Sequence, residues 1–259
     1  MRSLIRAAWR TFEISTRLRV VSPWAYLNWL VFPIIFATIG LFVLTSSGYT
    51  RVAYGVLGGG IIGFWSVTYL DGGNSIQEER WNGTLEQIFA VPTPLFVIVI
   101  GKILGSLLLG LLAFIPTVAL AYFGFHAVLP GLDPVRFAIS LGILTFSFFV
   151  LAVALTPLFA ISRSAFTVVN GLELGVYWLC GFMFPVAQLP DWLQHISYAL
   201  APTWAARALY ASASTSPSGD ITGWWLATLG LSALYLVASV VLYRFVEVRA
   251  RVTGQLALT

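Results

Sequence analysis

The chain has 259 residues, 59% of them hydrophobic and only 9% charged, with a mean hydropathy of +0.89. Soluble domains carry about 25% charged residues, so a water-soluble enzyme is excluded and lipid is the expected solvent. The net charge of +4 does not indicate nucleic acid, because five of the fourteen basic residues (Arg2, Arg6, Arg10, Arg17 and Arg19) precede the first apolar run.

Residues 3–21 have the periodicity of an amphipathic helix. At about 100° per residue, Arg6, Arg10, Glu13 and Arg17 share one face, with Glu13 and Arg17 spaced for an i,i+4 pair. Leu4, Ile5, Ala8, Trp9, Phe12 and Leu18 cover the opposite half. A basic stripe opposed to a Trp/Phe/Leu face, directly before an apolar run, predicts a helix lying at the membrane surface. A solvated basic tail is the plainer alternative. No signal-peptide cleavage pattern stands out.

Six apolar segments follow, at 24–46, 52–76, 95–124, 135–161, 165–186 and 221–243. Each has at least the roughly 20 residues that cross a hydrocarbon core, and the third is long. Pro116 and Pro157 fall inside the third and fourth and are expected to kink them. Glycines recur four apart at Gly55/Gly59/Gly63, Gly101/Gly105 and Gly171/Gly175, a spacing that lets helices approach closely in lipid.

Lys and Arg counts set the orientation. With the N-terminus inside, eleven basic residues are cytoplasmic, and only Arg51, Arg136 and Arg207 lie outside. Six spans then return the C-terminus to the cytoplasm. Trp24/Tyr26 and Trp224/Trp225 suit the interfacial belts. Residues 186–220, outside, are too apolar for a solvated loop and too broken for a span; short helices dipping into the outer leaflet fit them.

The first cytoplasmic loop is unusual for its charge. It holds Asp71, Glu78, Glu79 and Glu86 against Arg80, although the whole chain has ten acidic residues. Thr84 and Gln87 have capping-box spacing. Gly83 permits a sharp turn before them, and Pro92 and Pro94 end what Thr84 starts. The spacing predicts a two-turn helix over about 84–91. On spacing alone it is either a capped interfacial turn with solvated acids or a rigid knob offered to a cytosolic partner.

Glu173 is the one acid in the middle of a span, Asp71 falling at the loop end of the second segment. A charge there costs on the order of 3 kcal/mol on insertion scales, which predicts protonation, pairing or a polar cavity. It reads either as a helix–helix hydrogen bond to a Ser, Thr or Asn, or as a group lining a substrate path or gate. Phe146, Phe148, Phe149, Phe182 and Phe184 could line a lipophilic path or simply pack. Lone Cys180 excludes an internal disulfide, and His126 and His195 come with no other metal-ligand pattern.

The run Glu78-Glu79-Arg80, Gly83-Thr84-Leu85-Glu86-Gln87, with Ile88 where Leu is usual, resembles the loop between spans two and three of ABC transporter permeases of the type-2 exporter family. Gly181-Phe182-Met183-Phe184-Pro185, then Leu189-Pro190, Trp192-Leu193, Tyr198 and Pro202, is similar to that family's fifth-span exit and outer re-entrant helices. The resemblance covers nearly the whole chain. It implies an all-α integral membrane fold: one transmembrane permease domain over 1–259, in the plasma or inner membrane, with a coupling helix in the first cytoplasmic loop.

In such families that helix docks into a groove on an ATPase subunit. The resemblance therefore implies coupling through Glu78, Glu79, Arg80, Gly83, Thr84, Leu85, Glu86, Gln87, Ile88 and Phe89, with Leu85, Ile88 and Phe89 seating the helix. Glu173, Phe182 and Phe184 are the expected path or gate residues. It also implies a second permease copy or paralogue and an amphipathic or lipophilic cargo such as a drug, antibiotic or lipid-linked compound. The sequence contains no Gly-x-x-x-x-Gly-Lys-[Ser/Thr] phosphate loop; no cofactor is expected on this chain, ATP and magnesium belonging to the partner. An ion-coupled carrier would call for several ionisable residues within its spans. A lipid enzyme would call for a convergent polar site near the interface.

Overall fold

A computed structural model describes residues 2–44, 49–73, 75–84, 87, 93–126, 132–161, 165–214 and 219–253. Among them the regular elements are helical and no strand occurs. The first helix, α1 (Arg2–Val21), carries the expected Arg17–Glu13 pair at 2.8 Å, with Arg10 also reaching Glu13 at 3.3 Å. It lies along α6 (Leu95–Leu111). A Cβ on Gly101 would sit 2.6 Å from the Ala8 carbonyl oxygen, and one on Gly105 2.8 Å from Thr16 Oγ1. The Gly101/Gly105 pair therefore seats α1, while Ile5, Trp9, Ile14 and Leu18 on its flanks remain exposed.

After α2 (Pro23–Tyr26) and a π turn at Leu27–Val31 comes α3 (Phe32–Leu44), which packs along α4 (Tyr49–Ser66). The seam is built on small residues. A Cβ on Gly55 would meet the Leu41 nitrogen at 2.9 Å, one on Gly59 the Ala37 nitrogen at 2.8 Å, and one on Gly63 the Pro33 ring at 2.1 Å. Such backbone contact is what small residues permit in lipid, where packing rather than solvent exclusion holds helices together. A second π turn, Val67–Gly73, leads into α5 (Ser75–Trp81).

Beyond α6 the chain breaks at Leu112–Ala113 and resumes as α7 (Phe114–Ala119) and a third π turn, Leu120–Gly124. Pro116 causes the break. It has no N–H to give the Leu112 carbonyl, which instead accepts from the Ile115 N–H at 3.0 Å. Helix α8 (Pro134–Ile161) starts at an Asp133 cap that accepts from the Val135 and Arg136 N–H groups at 3.0 and 3.1 Å. Then follow α9 (Ala165–Leu179), a 3-10 turn at Val186–Gln188, α10 (Asp191–Tyr198), α11 (Ala201–Ser212) and α12 (Ile221–Thr253). Helix α11 packs its Ala-rich face against α8 and α12.

Among the described residues, three helical stretches are long and apolar enough to cross a membrane: Leu95–Gly124 (30 residues), Pro134–Pro157 (24) and Ile221–Phe245 (25). At 1.5 Å per residue, each spans the roughly 30 Å of hydrocarbon. Leu27–Phe42 and Tyr54–Leu70 are shorter apolar helices. Aromatic rings fill the centre: Trp65 stacks on Tyr69 at 5.2 Å, and Phe148 meets Phe64 and Phe182 edge-on at 5.1 and 5.8 Å.

Candidate functional site

The acidic loop begins on α5. Its helix closes at Gly83, whose φ of +69° is left-handed, and the Thr84 N–H returns to the Glu79 carbonyl at 2.9 Å. That is a helix C-cap of the glycine type. The Thr84 hydroxyl also turns back, donating to both the carbonyl and the carboxylate of Glu79. Thr84 thus closes the preceding helix, a role its capping-box spacing does not suggest.

The other Glu79 carboxylate oxygen accepts from Lys102 of α6. Burial pulls the Glu79 carboxyl up, but hydrogen bonds from Lys102 and Thr84 and the Lys102 charge outweigh it, leaving it below the usual carboxylate range. One turn further along α6, Ser106 donates to the Lys102 carbonyl at 3.1 Å and accepts from Arg19 of α1 at 2.8 Å. Three elements therefore meet here: the end of α1, the first turns of α6 and the end of α5. Nothing in the sequence flagged this junction beyond Lys102 being the one lysine and lying near the start of an apolar run.

Glu78, Trp81, Asn82, Gly83 and Gln87 are exposed around this clamp, with Trp81 at 65%. The Arg80 side chain and residues Leu85, Glu86, Ile88 and Phe89 lie outside the described residues, as does most of the 84–91 helix.

The second group of interest is in the apolar interior. Glu173 of α9 is buried, and its Oε1 accepts from Ser66 of α4 at 2.9 Å and from Tyr177 one turn along its own helix. The acid thus has one interhelical hydrogen bond, from Ser66, and one within its own helix, from Tyr177. Phe182 is wholly buried against Phe148. Its carbonyl accepts from Tyr210 and lies 2.2 Å from where a Gly58 Cβ would be. Phe184 is half-buried beside Trp178 at 5.8 Å. Phe182 and Glu173 therefore lie within packed interior in this conformation.

The membrane-length apolar helices define a helical integral membrane protein. More particularly, the chain belongs to the ABC-2 type transporter family, whose model matches residues 2–213. That family supplies the membrane subunit of ABC transporters, a transport subunit that normally works with a separate ATPase. A comparison with curated proteins finds no match.

Proposed function

We propose that the chain is the permease of an ATP-driven exporter, with its acidic loop as the coupling element for a separate ATPase. Two permeases, identical or paralogous, flank the path, and two ATPases carry ATP and magnesium below. All six apolar segments span the bilayer, both termini are cytoplasmic, and α1 lies at the inner surface with its basic ridge outward. The cargo is an amphipathic or lipophilic molecule such as a drug, antibiotic or lipid-linked compound. Leu85, Ile88 and Phe89 seat the loop helix in the ATPase groove, while Glu78, Arg80, Glu86 and Gln87 meet polar groups around it.

The observation that carries this reading is the fixing of Glu79 by Lys102 and Thr84. A loop that merely joins two spans needs no ion pair to the next span. A loop that transmits force does, because an unpinned helix end would absorb a push by fraying. Glu78 and Trp81 stay exposed beside the clamp, where a partner can reach them.

The test is co-expression with a phosphate-loop ATPase encoded beside this chain. Glu86→Arg is expected to lower ATPase co-purification and ATP-driven transport at least tenfold. Undiminished co-purification and transport in that variant would remove the coupling assignment.

A further inference from the structure

Tyr54 lies near the start of α4, whose far end leads to α5 and Glu79, so the two mark opposite ends of the bundle. At the Tyr54 end, α4, the exit of α9, α11 and the start of α12 enclose a cavity of about 230 Å³, lined by Tyr54, Cys180, Val186, Arg207, Tyr210 and Trp224 among others. Arg207 is one of only three basic residues assigned to the outer side. Its guanidinium carbon lies 5.2 Å from the Tyr198 ring centroid, 5.4 Å from Trp204 and 5.7 Å from Trp224. Among the described residues it forms no ion pair: Asp133 is taken by Arg136 at 3.2 Å, and the remaining pairs lie on α1 and at Lys102.

The aromatic rings fix the position of the guanidinium and attract its charge through their faces. They satisfy none of its five N–H donors, which match a carboxylate or phosphate. A half-buried arginine with three aromatic neighbours, and no acid paired with it among the described residues, is therefore held in place with its N–H donors available to an anion. Tyr54 adds a second donor to the wall. It stacks on Tyr210 at 4.0 Å, and the Tyr210 hydroxyl is already committed to the Phe182 carbonyl.

Size narrows the ligand. Pockets that engulf a drug-sized molecule run from about 300 Å³ upward, so this one suits a headgroup whose tail stays outside. Val186 and Trp224 give the wall an apolar side, and Trp204 and Tyr198 flank it as interfacial aromatics do.

We propose that this cavity binds the phosphate group of an anionic amphiphile at the outer leaflet, with Arg207 as the main donor and Tyr54 as the second. The placement at the outer leaflet rests on the exporter reading above; the binding chemistry does not.

The test is native mass spectrometry of the purified chain in detergent, offered dioctanoyl phosphatidylglycerol, dioctanoylglycerol or inorganic phosphate. Phosphatidylglycerol is expected to be retained and dioctanoylglycerol to be lost. Arg207→Gln should lower retention at least tenfold, Arg207→Lys about threefold to tenfold because the charge stays and the fork goes, and Tyr54→Phe about threefold. Equal retention of dioctanoylglycerol overturns the proposal, as does unchanged retention in Arg207→Gln. If that variant does not fold, unchanged retention in both Arg207→Lys and Tyr54→Phe overturns it instead. Full competition by inorganic phosphate at the lipid's own concentration overturns the amphiphile and leaves a free-phosphate site. Separately, Asp220→Cys in sealed vesicles should react with an impermeant maleimide from the outside; labelling only from the inside sinks the orientation and leaves the binding result standing.

Discussion

At the scale of single residues, two acids have contrasting tasks. Glu79 is partly buried and paired with Lys102, so its folded pKa is depressed. Its stabilisation is fully present above the ordinary carboxylate value of about 4.3 and is lost as pH falls through the lower folded value. Thermal denaturation in detergent should therefore show wild type losing stability below about pH 4, with Glu79→Gln lacking that component of the decline. Lys102→Met, which strands the carboxylate, should cost about 1–3 kcal/mol at neutral pH, read as a lowered melting temperature. Glu173 is a different case, because Ser66 and Tyr177 reach it as hydroxyl donors. Glu173→Gln keeps acceptors for Ser66 and Tyr177 and should fold within about 1 kcal/mol of wild type, whereas Glu173→Leu should lose about 1–3 kcal/mol. Unchanged transport by a well-folded Glu173→Gln would restrict this residue to a structural role. The sequence made it clear that an acid inside a span requires a partner. It could not identify Ser66, which is 107 positions away, since distance along the chain carries no sign of which helix faces which.

At the scale of elements, glycine is used in two separable ways. Gly83 has open space around it and a left-handed φ, so Gly83→Ala should cost only the dihedral penalty, about 1–2 kcal/mol, with the fold intact. Gly59 has an ordinary helical backbone but touches Ala37. Gly59→Leu must push α3 from α4, and should cost more than the about 1–3 kcal/mol typical of overpacking, read as loss of monodisperse protein. Four-residue spacing made the Gly55/Gly59/Gly63 seam and the Gly101/Gly105 seat legible in the sequence. The same spacing at Gly171/Gly175 is met by nothing within 4 Å, so the pattern marks a capacity for close approach without naming the neighbour. The break at Leu112–Ala113 was legible from Pro116. The three π turns were not, because an extra residue per turn leaves the apolar pattern of a membrane helix unchanged.

For the whole molecule, composition was decisive: low charge and high hydropathy point to an all-helical membrane protein, and the helices and the family match bear this out. Less legible was the junction at Arg19, Ser106, Lys102 and Glu79, which joins three segments remote in sequence through polar groups that each look incidental. The family match stops at residue 213, and α12, which packs against α8 and α11, lies beyond it. As the chain has no phosphate loop, the purified subunit alone should turn over no ATP above background, with turnover appearing only when the partner ATPase is added. Turnover by the subunit alone, with contaminants excluded, would contradict that division of labour.

The close seam between α3 and α4 has a mechanical corollary. Long interlocked side chains can adjust by changing rotamers; the glycines, Ala37 and Pro33 of this seam have no rotamers to change. A seam this close favours the two helices moving together. Since α4 continues through Val67–Gly73 to the clamped loop, a displacement applied at Glu79 is expected to tilt both helices together.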